Sequence, residues 1–278
     1  MKNILKIMLM MITIYTITGS AVYAAEIPVS DQDQLITSSD WTEISNLQDE
    51  MKKEEPDATI DYDKALKVYV DCNLIKLQTA DTKKLTSALE SANYVWVIPF
   101  KMEKTYGMFT VAKGLPLREE AKSVLTKAEQ EEVKNHAGKW MITETAEHTV
   151  EPYYDILLEK REALSDCTRV VLVGSQPGMR QPVALGMDDE TARIWISLGY
   201  QYPVMKKIPE TQNVESGVYS FDSVAEISDT YIEDSEVSTG AGVQSRSSMK
   251  YVAGIGIIVI GSILILSVLK KKKLEDYE

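Results

Sequence analysis

The sequence has little cysteine and little histidine. Its 278 residues include two of each, Cys72 and Cys167, and His136 and His148. Two cysteines cannot by themselves hold a structural zinc ion, and they exclude a disulfide-rich scaffold. The histidines fit no known metal-ligand spacing, and His136 falls in the last turn of a predicted helix, where a cation is favourable. We therefore predict no metal site and no cofactor.

Basic residues are also in deficit. The chain has 30 Lys and Arg against 42 Asp and Glu, a formal net charge of -12. Several of the basic residues belong to the two chain ends, so the part between them is more acidic still. Binding to nucleic acid or to an anionic lipid surface depends mainly on clustered Lys and Arg. The composition therefore disfavours both partners and is typical of a well-solvated surface.

Short motifs of common catalytic and ion sites are missing as well. In the turn-rich stretch 174–180, Gly174 adjoins Ser175, which does not fit the Gly-x-Ser-x-Gly pattern, and there is no phosphate-binding Gly-x-x-x-x-Gly-Lys string. Asp31 with Asp33, Asp61 with Asp63, and residues 188–190 are acidic but do not continue into a calcium loop. We predict no catalytic residue from motifs, although carboxylates could still meet in the fold.

The first 24 residues have the pattern of a secretory signal peptide. Lys2 and Lys6 form a basic start, residues 7–17 are apolar, and Val22-Tyr23-Ala24 supplies small residues at a cleavage site. The apolar run is short for a membrane span. We expect residues 1–24 to be removed after export.

A second apolar stretch, Tyr251 to Leu269, has the length and composition of a transmembrane helix. It contains no charged residue, and Lys270 to Lys273 follow directly. Because positive residues stay on the cytoplasmic side, the predicted topology is single-pass, with residues 270–278 inside. The expected localisation is the cell membrane, with the bulk of the chain extracellular, and the compact leader is typical of a bacterial envelope protein.

The region between these ends predicts one α+β domain with a mainly antiparallel sheet. An N-terminal segment, 25–57, is expected to be loose up to Thr37 and then to form a short helix capped by Asp40 and Glu43. Strands and helices follow over 58–221, in an order that suggests two β-α-β-β-type halves. Residues 222–250 are acidic and lack an apolar pattern, so we predict a solvated stalk.

Within the domain, the spacing of apolar residues and capping residues predicts the main elements. The strands are 65–71, 94–98, 106–112, 140–147, 169–173, 182–187 and 192–198, of which 94–98 with 106–112 and 182–187 with 192–198 are predicted to form hairpins. The helices are 81–92 with Asp81 as N-cap, 116–125, 126–138 with Thr126 and Glu129 as a capping box, and 152–164. In an oxidising compartment Cys72 and Cys167, which lie at predicted strand ends, could form a disulfide or remain buried thiols.

Binding residues are predicted in two places. The loop after the buried strand 169–173 offers Ser175, Gln176 and Arg180, although a plain hairpin loop also explains it. Trp96 and Trp195 lie in predicted strands, where they would bind sugar or peptide if exposed and would pack in the core otherwise.

These features favour a membrane-tethered extracellular binding module whose partner is a protein, a peptide or an envelope polymer. The first alternative is an envelope hydrolase that uses carboxylates brought together by folding. The second is an accessory subunit of a membrane complex.

Overall fold

The computed structural model describes residues 27–148, 151–174, 176, 179, 182–198, 208, 213–215 and 217–226. They form a mixed α+β fold in which one large, mostly antiparallel sheet is accompanied by few helices. This confirms the predicted fold class at that level.

The described fold contains ten strands and six α-helices, with the bounds given below, together with a helical stretch at 221–226. The helices are α1 (Trp41–Ile44), α2 (Gln48–Glu54), α3 (Thr82–Glu90), α4 (Glu119–Lys122), α5 (Lys127–His136) and α6 (Tyr153–Glu159). The strands are β1 (Thr59–Ile60), β2 (Leu66–Tyr69), β3 (Tyr94–Lys101), β4 (Tyr106–Lys113), β5 (Trp140–His148), β6 (Arg169–Val173), β7 (Val183–Met187), β8 (Ala192–Ser197), β9 (Asn213–Glu215) and β10 (Val218–Ser220).

The strands are ordered β5-β4-β3-β2-β6-β7-β8-β10-β9, and β1 pairs with β3 outside this path. The central pair, β2 and β6, is parallel, with Val68 opposite Leu172. All other pairs of named strands in the described sheet are antiparallel. The predicted hairpins β3–β4 and β7–β8 are therefore confirmed.

The predicted duplication does not match the strand pairing. In the first proposed half, β2 pairs with β3, the strand that follows it. In the second, β5 lies four strands away from β6 in the sheet order. The similar succession of elements along the chain therefore does not correspond to a repeated arrangement in space.

Side chains that alternate along the strands pack into three hydrophobic cores, which lie on the two faces of the sheet. Val171 and Val173 of β6 point into a core under α3, which we call the α3 core, whereas Val170 and Leu172 point to the opposite face. That opposite face forms the α6 core, which includes Leu157. A third cluster, the N-terminal core, joins α1 and α2 to the β3–β5 region.

The α3 core and the N-terminal core lie side by side on one face of the sheet. Lys67 of β2 is directly opposite Trp96 of the N-terminal core, so the two side chains share a face. Tyr69, two residues beyond Lys67 on the same strand face, belongs to the α3 core. Lys67 therefore marks the seam between the two cores.

The N-terminal segment is packed, contrary to the prediction that it is loose up to Thr37. Ile27, Val29 and Leu35 are buried. The segment crosses the ends of the central strands, because the N–H of Val170 donates to the carbonyl of Pro28 and the N–H of Leu35 donates to that of Ala65. Its apolar residues are too few to show a periodic pattern, which is why the sequence did not reveal this packing.

Two of three predicted helix caps are present. Asp81 accepts from the N–H of Lys84 at the start of α3, and Thr126 with Glu129 forms a capping box at the start of α5. The capping box predicted at Asp40 is wrong, because Asp40 has helical backbone angles and its side chain makes no cap hydrogen bond. That carboxylate is bound by side chains of β3, as described below.

The folded part extends past the predicted boundary at residue 221. Residues 221–226 are helical, and Phe221 and Val224 are buried in the α3 core. The beginning of the predicted stalk therefore belongs to the domain.

The predicted signal peptide, the rest of the stalk, the predicted span 251–269 and the tail lie outside the described residues. In the described part of the chain, no helix has the length and apolarity needed to cross a bilayer.

Candidate functional site

The loop predicted to bind a ligand uses Gln176 to organise its own backbone. Gln176 is 3% exposed, its amide nitrogen donates to the carbonyls of Cys72 (2.6 Å) and Gly174 (3.0 Å), and its amide oxygen accepts from the N–H of Leu74 (3.1 Å). A side chain held by three backbone groups is a structural residue, so its predicted binding role is not supported. Ser175 and Arg180 lie outside the described residues.

The two strand tryptophans are buried, so the core interpretation is confirmed for both. Trp195 is fully buried in the α3 core, with its ring 6.0 Å from that of Phe221. The exposed ring that its predicted role in binding requires is therefore not present. Trp96 is fully buried in the N-terminal core. Neither ring presents a surface to a ligand.

Cys72 and Cys167 are free, buried thiols, so the disulfide that the sequence left open is not formed. Cys72 belongs to the α3 core and Cys167 to the α6 core, on opposite faces of the sheet. Cys167 packs against Gly186 of β7, where a Cβ atom would lie 2.7 Å from its sulfur. Burial is the largest cause that raises the pKa of each thiol to about 11.

We expect both thiols to be unreactive in the folded protein at pH 8. A raised thiol pKa keeps the reactive thiolate rare, and burial restricts access. Titration with Ellman's reagent should give almost no reaction in buffer and two thiols per chain in guanidinium chloride without reductant. Cys72→Ser should reduce the denatured count to one. Fewer than two thiols in the denatured wild type would indicate a disulfide.

A set of charged and aromatic side chains at the seam between the two cores is the strongest candidate for a functional site. We call it the Asp33 cluster. Its members come from the N-terminal segment and from β2, β3 and β6: Asp33, Asp40, Lys67, Tyr69, Tyr94, Trp96 and Arg169.

Asp33 is the centre of the cluster and is almost completely buried, with 2% of its side chain exposed. Its carboxylate accepts hydrogen bonds from Ser30 Oγ (2.6 Å), Tyr69 Oη (2.8 Å) and Arg169 Nη2 (3.0 Å), and Lys67 Nζ lies 3.7 Å away. Burial, and next the nearby Asp33 carboxylate, raise the pKa of Tyr69. Asp33 thus attaches the N-terminal segment to both central strands.

Asp40 is the second carboxylate of the cluster. It accepts from Tyr94 Oη (2.9 Å) and from Trp96 Nε1 (3.0 Å), both on β3. Burial raises the pKa of Tyr94, and the hydrogen bond to Asp40 adds to this. The carboxylate therefore satisfies the indole N–H of a buried tryptophan, which explains why it does not cap α1.

The Lys67 ammonium is surrounded by aromatic rings. Nζ lies 4.6 Å from the ring centroid of Tyr94, 5.3 Å from that of Trp96 and 5.9 Å from that of Tyr69, all within the range of cation–π attraction. Only 11% of the side chain is exposed, and its ion pair with Asp33 is the longest polar contact of that carboxylate, at 3.7 Å. Burial lowers the pKa of Lys67, and the attraction of Asp33 opposes this only in part.

Arg169 is the second cation and is also incompletely hydrogen-bonded. Its Nη2 donates to Asp33 and, at 3.4 Å, to Tyr69 Oη, while its buried Nε has no partner among the described residues. A guanidinium carries five N–H donors and an ammonium three. The Arg169 side chain is 20% exposed, and its Nε is the one buried side-chain donor of the cluster for which the described residues offer no acceptor.

This arrangement is better suited to binding than to hydrolysis. Asp33 and Asp40 are the carboxylates that folding brings to this seam, but each already accepts hydrogen bonds from neighbouring side chains. A glycosidase needs one carboxylic acid that can donate a proton and one carboxylate that can act as base or nucleophile. Donors without acceptors, by contrast, are what an anionic group requires. The other acidic candidates do not form an ion site: no group of three or more metal-binding side chains gathers in the described part.

Sequence reasoning missed most of the Asp33 cluster, but two signals were present. Lys67 and Arg169 lie in strands whose other residues are mainly apolar. A charged side chain in such a strand requires a partner inside the protein. In the sequence Asp33 forms an acidic pair with Asp31, whereas the fold places it against the cations Lys67 of β2 and Arg169 of β6.

Comparisons with known proteins do not assign the cluster a role. No protein-family model matches the chain, and neither the curated proteins nor the solved structures include a match.

Proposed function

We propose that this chain is a membrane-tethered extracellular binding module that recognises a protein, a peptide or an envelope polymer at the Asp33 cluster. Location in the cell membrane and a single-pass topology are supported by the signal-like first 24 residues, the apolar stretch 251–269 and the lysines that follow it. The binding role is supported by one observation above the others: two partly exposed cations, Lys67 and Arg169, share the buried carboxylate of Asp33, and Arg169 Nε has no acceptor among the described residues.

Conformational stability gives a reason to expect a ligand at such a site. Leaving polar N–H groups without acceptors in a largely buried place costs free energy that a purely structural cluster would avoid. A ligand group that accepts these hydrogen bonds recovers that free energy on binding. The three aromatic rings around Lys67 attract the ammonium and hold it at the seam.

The binding role can be tested with the full chain in detergent micelles. We expect immobilised wild-type protein to retain a component of solubilised envelope fractions, and Lys67→Met to retain much less of it. Lys83→Met, which changes an exposed lysine of α3, is the matched control and should bind like wild type. No specific retention by the wild type, or equal retention by wild type and Lys67→Met, would contradict a ligand site at the cluster.

One feature favours the accessory subunit as a second candidate. The helical segment that connects β4 to β5 is closed at its base by a β-bridge between Gly114 and Ala137. Within it, Leu115 and Val124 are 39% and 58% exposed, and Val133 is the buried apolar residue. In the same experiment, a membrane protein retained equally by wild type and Lys67→Met, but lost with Val124→Glu, would support this candidate.

A further inference from the structure

We propose that the outer edge of β5 binds a basic, extended peptide segment, which pairs with it as an additional strand of the sheet. This surface is separate from the Asp33 cluster, because β4 lies between β5 and β3 in the sheet order. It goes beyond the proposed function, since it adds a second recognition surface with its own ligand chemistry.

β5 is the last strand on one side of the described sheet. Its inner edge pairs with β4, and no other described strand pairs with its outer edge. With nine residues it is longer than the usual strand of about five or six. Every second residue of an edge strand points its backbone N–H and C=O groups away from the sheet, where they can pair with another chain.

The register with β4 places carboxylates on both sides of this edge. Thr145 lies opposite Phe109 of the N-terminal core, and Glu147 lies two residues further along on the same face. Glu144 is on the other face, where burial raises the pKa of Tyr153 and the Glu144 carboxylate adds to this. Both glutamates are exposed. An incoming strand would therefore meet an acidic side chain on each of its faces.

The end of α2 brings two more carboxylates to the edge. Thr145 Oγ1 donates to Glu54, and the pKa of Glu55 is raised by burial and then by the charges of Glu147 and Glu54. None of the ion pairs among the described residues includes Glu54, Glu55, Glu144 or Glu147. Carboxylates that repel one another without a cation between them attract a cationic partner.

Charge also decides between a basic partner and a second copy of this chain. Antiparallel pairing of two β5 strands would bring Glu144 and Glu147 of one copy close to those of the other, and like charges across a strand pair are destabilising. The chain as a whole has a net charge of -12, which repels a second copy further. Lysine or arginine side chains on both faces of an incoming strand would instead complement the four glutamates.

The pairing stretch has a defined length. β5 contains a bulge at Thr143, because Val111 lies opposite Ile142 and Thr110 lies opposite Glu144. The five residues from Glu144 to His148 then follow a regular register with β4. A peptide of about seven residues is long enough to cover this run and the acidic side chains beside it.

The probe is the peptide Val-Lys-Lys-Val-Lys-Lys-Val, amidated at its C-terminus and carrying a fluorophore at its N-terminus. Fluorescence anisotropy with the full chain in detergent micelles should show saturable binding with a dissociation constant on the order of 0.1 mM. The same peptide with glutamate in place of lysine should not bind. A probe N-methylated at its three central residues keeps its charges but loses backbone donors, so it should bind at least tenfold more weakly.

Two protein variants test the acidic side of the contact. The double variant Glu144→Gln, Glu147→Gln should weaken binding of the lysine probe about tenfold, because it removes two exposed ion pairs. Glu190→Gln, which changes an exposed glutamate in the turn between β7 and β8, is the matched control and should bind like wild type. Lys67→Met should also bind like wild type, so a failure of the Asp33 cluster as a ligand site leaves this result unaffected.

Hydrogen exchange identifies the strand that the probe contacts. Backbone amides of residues 144–148 should exchange more slowly when the lysine probe is bound, because their outward N–H groups gain acceptors. Absence of saturable binding, equal binding of the N-methylated probe, or equal binding by the double variant would each overturn the proposal. Sedimentation of the chain as a dimer that the lysine probe dissociates would assign the edge to a second copy and would overturn it as well.

Discussion

Replacing Asp33 by asparagine is expected to lower the free energy of unfolding by about 3 kcal/mol, because it leaves Lys67 and Arg169 largely buried without their central anion. Asparagine has nearly the same shape, and its oxygen can still accept from Tyr69. Its NH2 group, however, would face the donor Nη2 of Arg169, so one hydrogen bond is lost as well. The partial exposure of Arg169 keeps the expected loss near the lower end for a broken buried ion pair.

The loss can be measured by urea unfolding of the full chain in micelles, followed by circular dichroism. Asp31→Asn changes an exposed carboxylate of the same turn, so its midpoint should equal that of the wild type. Lys67→Met alone should stay within about 1 kcal/mol of wild type, because Arg169 still pairs with Asp33 and the cost of burying the ammonium is removed with it. That small effect also means that a loss of ligand binding in Lys67→Met would not result from unfolding.

The double variant Asp33→Asn, Lys67→Met gives the sharper comparison. If Asp33 stabilises the fold by compensating the two cations, removing one of them should restore part of the stability lost in Asp33→Asn. Effects that simply add, or a double variant less stable than Asp33→Asn, would show that Asp33 acts through its hydrogen bonds and not through its charge.

Local signals in the sequence predicted the elements well. The caps at Asp81 and Thr126 specify helix starts because their side chains accept hydrogen bonds from N–H groups three residues away. Their effect therefore does not depend on distant parts of the chain. The β3–β4 and β7–β8 hairpins join strands that are close in sequence. Each of these features depends on residues that are close in sequence. Apolar spacing and turn residues are signals of that same short range.

The arrangement of these elements depends on contacts that such spacing does not encode. The parallel pairing of β2 with β6 brings together residues about a hundred positions apart, and the Asp33 cluster exists only because of it. The same distance separates Gln176 from the backbone of Cys72 and Leu74. The turn-rich sequence around Gln176 therefore predicts a binding loop, whereas the fold uses this glutamine to join two loops.

The side of a strand that faces solvent was also hard to predict. Alternation in β2 separates Leu66 and Val68 from Lys67 and Tyr69, and a sheet covered on one side would leave the second pair exposed. Here both faces are covered, so both pairs are largely buried. The same covering accounts for Trp195, which is fully buried on the face that the sequence left open to a ligand.

Trp195→Ala is expected to lower the free energy of unfolding by about 3 to 5 kcal/mol, the usual range for removing a large aromatic side chain from a packed core. Trp195 is fully buried among residues of β7, β10 and the helical stretch 221–226, and its ring contacts that of Phe221. Removing it leaves a cavity at the centre of the α3 core. Urea unfolding followed by circular dichroism measures the loss without depending on tryptophan fluorescence.

Trp195→Phe is the matched control that separates a core role from a binding role. The indole Nε1 is buried and has no hydrogen-bond partner among the described residues, so phenylalanine removes an unsatisfied donor while it keeps most of the packing. We expect less than half of the stability loss of Trp195→Ala and unchanged retention of envelope components. A variant as stable as wild type that no longer binds would instead place Trp195 in the ligand site, because a core residue affects binding only through the stability and shape of the fold.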